Sequence, residues 1–339
     1  MSGEAKAVGV VGAGSWGTTL AKILGENGQP TLVWAHEPEV VEEINTSRSN
    51  ERYVPGATLA PQVRATGELQ EICARCDFML MVVPSHVFRG VANGLGEHLT
   101  GEHCIVHCTK GIERETFRRM SEILREETCV RKIGALCGPN LSKELSARQP
   151  AGTLVASKYD EVVRRAQAAL SCGYFRVYGG HDVVGAEVGG AFKNIVAVAA
   201  GVVDGLQLGD NTKALLLTRG LSEMARYGDA LGADVITFGG MAGIGDLMAT
   251  CASPHSRNHQ VGERLARGET LEQIQAGMFM VAEGVKTASS VHAFARYKGL
   301  ELPIVEAVHA LLYEGLAVQQ AIASLMTRDV DREFAGLRL

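Results

Sequence analysis

An α/β domain built on a doubly wound, mostly parallel sheet and followed by an all-α domain is the fold this sequence predicts. Three observations carry that expectation. A G-x-G-x-x-G turn lies between a strand and a helix near the N-terminus, short apolar runs then alternate with amphipathic helices, and from His181 onward the periodicity is helical throughout.

The elements follow in order. "KAVGVVGAGSWGTTLAKILGENG" reads as a buried strand over Ala7 to Val11, a tight glycine turn, and a helix running to Glu26 that Asn27-Gly28 stops. "PTLVWA" is the second strand and completes a βαβ unit. "FMLMVVP", "CIVHCTKG", "IGALCGP", "GTLVAS" and "FRVYGG" read as further parallel strands, separated by helices such as "ERETFRRMSEILREET". Beyond His181, "HDVVGAEVGGAFKNIVAVAAGVVDGL", "NTKALLLTRGLSEMARYGDAL", "SRNHQVGERLARG", "VKTASSVHAFARYKG" and "PIVEAVHALLYEG" are helical. The expected domains are therefore 1–180, nucleotide-binding, and 181–339, helical and substrate-binding.

Composition narrows the function classes. The 339 residues are 46% hydrophobic and 21% charged with a formal net charge of -5, which argues against a nucleic-acid or anionic-membrane binder. An anionic ligand must then meet local positive charge. The longest uninterrupted apolar runs, such as "IVAVAAGVV", are too short to cross a bilayer. The N-terminus reaches its glycine turn before a signal-peptide core is formed, and eight scattered cysteines fit reduced thiols, so a cytoplasmic protein is expected. "CARC", Cys73 to Cys76, lacks a second pair at zinc spacing and is read as a helix end without metal.

Gly12, Gly14 and Gly17 follow a strand and open a helix, the context a dinucleotide requires. The first permits the turn, the second lets backbone approach a pyrophosphate, and the third lets helix pack on strand. After the second strand, His36 either faces a 2′-phosphate, which tilts the expectation toward NADP, or is a solvated loop residue, while Glu37 keeps NAD open. "VVPSH", "CTKGIE" and "CGPNLSKE" each follow a strand, placing Ser85, Lys110, Gly138 and Asn140 among residues that can border a nicotinamide, the alternative for Lys110 being a solvated surface lysine. His86 is read as a helix-start residue rather than a base.

Lys193 stands in "GGAFKNIVAVAAG", a segment otherwise made for burial. It either snorkels its ammonium outward or faces a desolvated site, where a lowered pKa suits proton donation near neutrality. Gly189, Gly190 and Gly201 weaken the same helix and point to close approach by another backbone or a ligand. "GIGDLMATCASPHSRN" adds Asp246 as a partner for Lys193, Thr250 as a hydroxyl donor, and Arg257 with Asn258 as an anion clamp, the alternative for Arg257 being a surface salt bridge.

Together, "GAGSWGTTLA", "VVPSH", "CTKGIE", "CGPNLSKE", "GGAFKNIVAVAAG", "GIGDLMATC" and "SRN", in this order from Ala7 to Ala323, resemble the bacterial NAD(P)-dependent glycerol-3-phosphate dehydrogenases. The resemblance implies a Rossmann domain, a helical domain, and interconversion of dihydroxyacetone phosphate and sn-glycerol 3-phosphate, a supply step for glycerophospholipid synthesis. By position it makes Lys193 the general acid/base, and Lys110, Gly138, Asn140, Asn194, Asp246, Thr250, Ser256, Arg257 and Asn258 the substrate site. Cofactor contacts fall on Gly12, Gly14, Ser15, Trp16, Gly17, His36, Lys110, Ser142, Arg257, Val281 and Glu283. NADP or NAD is the expected cofactor, with NADPH slightly favoured, and a homodimer is what the family suggests. The chain departs from the family at Asn140, where serine or threonine is frequent, at His36, where arginine is common, and in "SRNHQ", where members tend to read "SRNRR". Two rivals share the first domain: a reductase of an unphosphorylated oxo acid, which leaves Arg257 without a phosphate, and a cofactor-sensing regulator, which needs neither Lys193 nor Asp246.

Overall fold

The computed structural model describes residues 6–254, 256–278 and 282–329. Two compact units emerge, one comprising Met1–Thr109 with Arg119–Val183, the other Lys110–Arg118 with Val184–Leu339.

The first unit holds one eight-stranded sheet: β1 Val8–Val11, β2 Thr31–Trp34, β3 Val63–Thr66, β4 Phe78–Met81, β5 Cys104–His107, β6 Lys132–Cys137, β7 Ala151–Ser157 and β8 Phe175–Gly180, in the order β3-β2-β1-β4-β5-β6-β7-β8. Its helices are α1 Ser15–Glu26, α2 Pro38–Ser47, α3 Leu69–Arg75, α4 Ser85–Gly96, α5 Met120–Glu127, α6 Ser142–Ser146 and α7 Asp160–Leu170. Alternate strand residues enter different cores. Val8, Val10, Phe78 and Leu80 join Leu20 and Ile23 of α1 and Ala166 of α7, whereas Val11, Met79 and Met81 join Ile72 of α3, Phe88 of α4 and Ile123 of α5. Both faces of the sheet are covered by helices, which is why the inner strands β1, β2, β4 and β5 are buried along their whole length, whereas the edge strands β3 and β8 carry exposed side chains.

Three local expectations are corrected. "GTLVAS" forms β7, but it runs antiparallel to β6, with Ala135 opposite Ala156, and parallel to β8. Strand β3, "VRAT", went unseen because its second side chain, Arg64, is exposed and its last is a threonine, leaving no apolar run to read. The helix expected across "ERETFRRMSEILREET" starts only at Met120. The residues before it hold Phe117 at φ 57, a conformation no helix contains, and they pack elsewhere.

The second unit contains α8 Val183–Gly205, α9 Asp210–Ala230, α10 Asp246–Ala252, α11 Arg257–Ala266, α12 Leu271–Ala276, α13 Glu283–Lys298, α14 Pro303–Tyr313 and α15 Val318–Met326, with a 3-10 turn at Val235–Gly239 and a π turn at Met241–Gly245. Strand pairing is absent from it among the described residues. Segment Lys110–Arg118 belongs here because Ile112 enters the helical core, its carbonyl accepts from Ser290 Oγ at 3.3 Å, and Phe117 meets Phe294 edge to face.

Helix α8 is the axis of this core. By length and hydropathy it is apolar enough to cross a membrane, which the run-length reading did not register, but 89% of its most apolar window is buried inside the protein, as befits a core helix. Its glycines serve close backbone packing. A Cβ at Gly189 would stand 2.2 Å from the Ala242 carbonyl oxygen and one at Gly201 1.9 Å from that of His259. Gly262 returns the second contact from α11, 1.9 Å from the Val198 oxygen, so α8 and α11 touch backbone to backbone.

Candidate active site

In the first unit the site begins where β1 ends. Gly12 takes φ +114, and a Cβ at Gly17 would lie 1.9 Å from the Gly12 oxygen, so the turn and the seating of α1 on β1 both demand glycine. In front of Gly14, the N-cap of α1, a Cβ would meet nothing within 4 Å, which leaves the open helix N-terminus a pyrophosphate needs. The turn therefore fits a dinucleotide. β1 lies between β2 and β4, so the strand order reverses beside this turn, the position where open α/β sheets bind ligands.

Ser15 donates its hydroxyl to the Tyr53 carbonyl at 2.9 Å, and Trp16 packs edge-on to Phe175. His36 is exposed after β2, while Glu37 accepts a hydrogen bond from the Tyr53 hydroxyl at 2.8 Å. Tyr53 thus touches both the glycine turn and the acid after β2. Sequence reasoning missed it because it lies in an irregular loop 38 residues from Ser15. After β6, Gly138 is held tight against Thr153, whose hydroxyl accepts from Asn140 Nδ2 at 2.8 Å. Ser142 opens α6, and Ser85 opens α4.

The second unit gathers the ionisable residues. Lys193 and Asp246 are 5% and 1% exposed, and the Lys193 ammonium donates to Asp246 Oδ1 and, at 2.7 Å, to the Thr250 hydroxyl. Lys110 donates to the other oxygen of Asp246 at 2.7 Å. One buried carboxylate therefore holds two lysines. Asp246 is aimed by α10, which begins as the π turn Met241–Gly245 ends. Burial pushes the Lys193 ammonium down, Asp246 opposes that, and Lys110 adds to it; the result is a lysine at about 8 rather than its usual 10.5. The snorkelling alternative is excluded by the 5% exposure.

Beside this cluster, Ser256 caps α11 by accepting from the His259 amide. Asn258 donates to the Asn194 side-chain oxygen at 2.9 Å and accepts from the Gly284 amide at 2.8 Å, tying α8, α11 and the start of α13 together. Arg257 retains solvent access, yet its crowded guanidinium is held below its ordinary pKa by desolvation, which Glu283 partly offsets. Glu283 was legible only through resemblance. Val281 lies outside the described residues. Among the described residues no group of three or more His, Cys, Asp or Glu can hold a metal, and burial pushes the Cys73 and Cys76 thiols up to about 11 and about 12.

A dinucleotide-binding sheet joined in one chain to a helical unit with a buried, pKa-lowered lysine defines a nicotinamide-dependent oxidoreductase. Family models narrow the class: the N-terminal model of NAD-dependent glycerol-3-phosphate dehydrogenase matches residues 7–163 and the C-terminal model residues 182–323. The chain belongs to that family. A glycerol-3-phosphate dehydrogenase (NAD(P)+) of Syntrophotalea carbinolica is 44% identical over 329 residues, covering 96% of this chain and 99% of the relative. The crystal structure of glycerol-3-phosphate dehydrogenase from Coxiella burnetii superposes with a TM-score of 0.91 at 34% identity, covering 95% of this chain and 99% of that one. Ketopantoate reductase from Ralstonia eutropha is similar in fold alone, with a TM-score of 0.57 at 16% identity.

Proposed function

We propose that the protein interconverts dihydroxyacetone phosphate and sn-glycerol 3-phosphate with NAD(P)H, and that Lys193 is its general acid/base. The observation that carries this reading is the buried Lys110–Asp246–Lys193–Thr250 cluster. When bound, the nicotinamide supplies the hydride that reduces the C2 carbonyl. Lys193 donates a proton to the developing alkoxide, a transfer eased by its lowered pKa. Lys110 and Lys193 stabilise the same negative charge, and Asp246 keeps both oriented. In the oxidative direction Lys193 takes the proton back. Arg257 holds the remote phosphate as the charged half of the clamp, spending its binding energy on orientation, while Asn258 and Asn194 brace it and Ser256 sets the turn. Gly138 and Asn140 complete the substrate loop, and Gly12, Gly14, Ser15, Trp16, Gly17, His36, Ser142 and Glu283 hold the cofactor.

We further read the protein as a cytoplasmic homodimer that supplies glycerol 3-phosphate to phospholipid synthesis; its eight free cysteines suit a reducing compartment. The test of the activity is loss of reduced-nicotinamide absorbance on adding dihydroxyacetone phosphate, with NADPH and NADH in parallel. Rapid oxidation that is absent with dihydroxyacetone is the expected result and ranks the two cofactors. Folded, cofactor-binding protein that consumes neither would overturn it, and the oxo-acid or sensor rival would take its place.

A further inference from the structure

Asp204, one residue from the end of α8, plays no part in the cluster above, yet three helices converge on it. Its Oδ2 accepts from His259 Nε2 at 2.7 Å and from Lys213 Nζ of α9 at 2.7 Å. The His259 side chain is 4% exposed while the Asp204 carboxylate keeps 30% of its surface, so the first of these bonds is buried on the histidine side and partly open on the aspartate side. Burial raises the Asp204 carboxyl, but the hydrogen bonds from Lys213 and His259 outweigh it and hold the group below its usual range. His259 Nδ1 makes no hydrogen bond among the described residues, so the ring acts on its surroundings through the single Nε2 contact.

The position of His259 gives that contact its consequence. It is the third residue of α11, directly after Arg257 and Asn258, and its amide is the one Ser256 caps. Asn258 fastens this turn to Asn194, the neighbour of Lys193, and His259 fastens it to Asp204, ten residues further along α8. At 1.5 Å per residue the two anchors are about 15 Å apart on α8. Asn258 already ties the turn to α8 and to the start of α13, and both of those bonds leave from one side chain; the His259 bond adds an anchor from the next residue, against rotation about Asn258. The Gly201 and Gly262 backbone contacts supply the surface against which both pins close.

We propose that His259 is a positioning residue for the reaction. Through Asp204 it locks the Ser256–Asn258 turn in register with Lys193, so that it governs affinity for the substrate phosphate rather than proton transfer. This rests on the reading of Arg257 as the phosphate clamp.

The test compares His259→Ala, His259→Gln and Asp204→Asn by steady-state kinetics with dihydroxyacetone phosphate, alone and combined with Arg257→Ala. Loss of one partly buried, charge-assisted hydrogen bond should raise KM about tenfold in His259→Ala, with kcat within about threefold. Glutamine keeps an N–H donor at similar reach and should restore KM to near that of the parent. Because His259 acts through Arg257, its substitution should add little to KM once Arg257 is alanine. A residue that only stabilises the fold would lower the melting temperature without this split or this dependence. If His259→Ala does not fold, Asp204→Asn, which preserves shape, carries the same expectation. An unchanged KM, or an equal shift with and without Arg257, overturns the proposal. If Arg257→Ala itself leaves KM unchanged, the clamp reading fails first and this inference with it.

Discussion

The shared carboxylate makes Asp246→Asn the most informative perturbation of the cluster. Asparagine keeps the shape and an acceptor but removes the charge that opposes desolvation of Lys193. An opposite charge in direct contact holds an ionisable group by about 1 to 3 pKa units, so a loss of about 2 brings Lys193 from about 8 to about 6. On the proposed role of Lys193, ketone reduction needs the protonated lysine, so activity is present below that pKa and is lost as pH rises through it. At pH 7.5 the protonated fraction, 1/(1 + 10^(pH − pKa)), falls from about 0.76 to about 0.03, a loss of about 25-fold. At pH 5.5 it is about 0.76 against nearly 1, a loss of less than about twofold. The assay is a kcat profile for reduction between these limits, with circular dichroism and cofactor binding confirming a folded protein. Oxidation of glycerol 3-phosphate, which needs the neutral lysine, should shift its acidic limb downward by the same amount. A reductive limb that stays near 8, or a loss equal at every pH, would refute both the role of Asp246 and the assignment of the limb to Lys193. Lys193→Ala, by contrast, should lose turnover by orders of magnitude at all pH values while binding cofactor almost normally.

Other expectations follow from the same geometry. Arg257→Ala removes a charged donor worth about 1.5 to 3 kcal/mol and should raise KM for dihydroxyacetone phosphate about 10- to 150-fold, with no such change for dihydroxyacetone. Gly201→Ala puts a Cβ 1.9 Å from the His259 oxygen and should cost about 3 kcal/mol, read as a fall of about 6–12 °C in Tm; an unchanged Tm would mean α8 and α11 do not press together. Glu223, 2% exposed, accepts from the Ile304 and Val305 amides at the start of α14, and burial raises its carboxyl to about 7 from 4.5. Its raised pKa therefore contributes stability that is present below about 4.5 and lost as pH rises through about 7, on the order of 3 kcal/mol. Glu223→Gln should flatten that part of the denaturation-against-pH curve, and an unaltered slope would dismiss the idea.

The sequence by itself determined whatever rests on local pattern. Six of the strands were legible as short apolar runs and a seventh, β8, by its alternation of buried Phe175 and Val177 with exposed Arg176 and Tyr178, and the G-x-G-x-x-G turn was legible because glycine alone meets its φ and its contact with α1. Asn27-Gly28 ended α1 where expected, as a C-cap followed by a glycine at φ +76. Lys193 stood out for its charge in an apolar helix. Only the tertiary structure decided the rest. The direction of β7 depends on pairing with β6, β3 has too few apolar residues to signal itself, and Lys110–Arg118 packs among helices far from it in the chain. The pairing of Lys193 with Asp246 spans 53 residues, that of Lys110 with the same carboxylate 136, and that of His259 with Asp204 55. Side-chain periodicity reports which face of an element is buried, but a hydrogen bond between distant segments needs the full three-dimensional path of the chain. Lys193 and its partner Asp246 were both named from the sequence, whereas the second lysine on the same carboxylate, Lys110, could be placed there only by the fold.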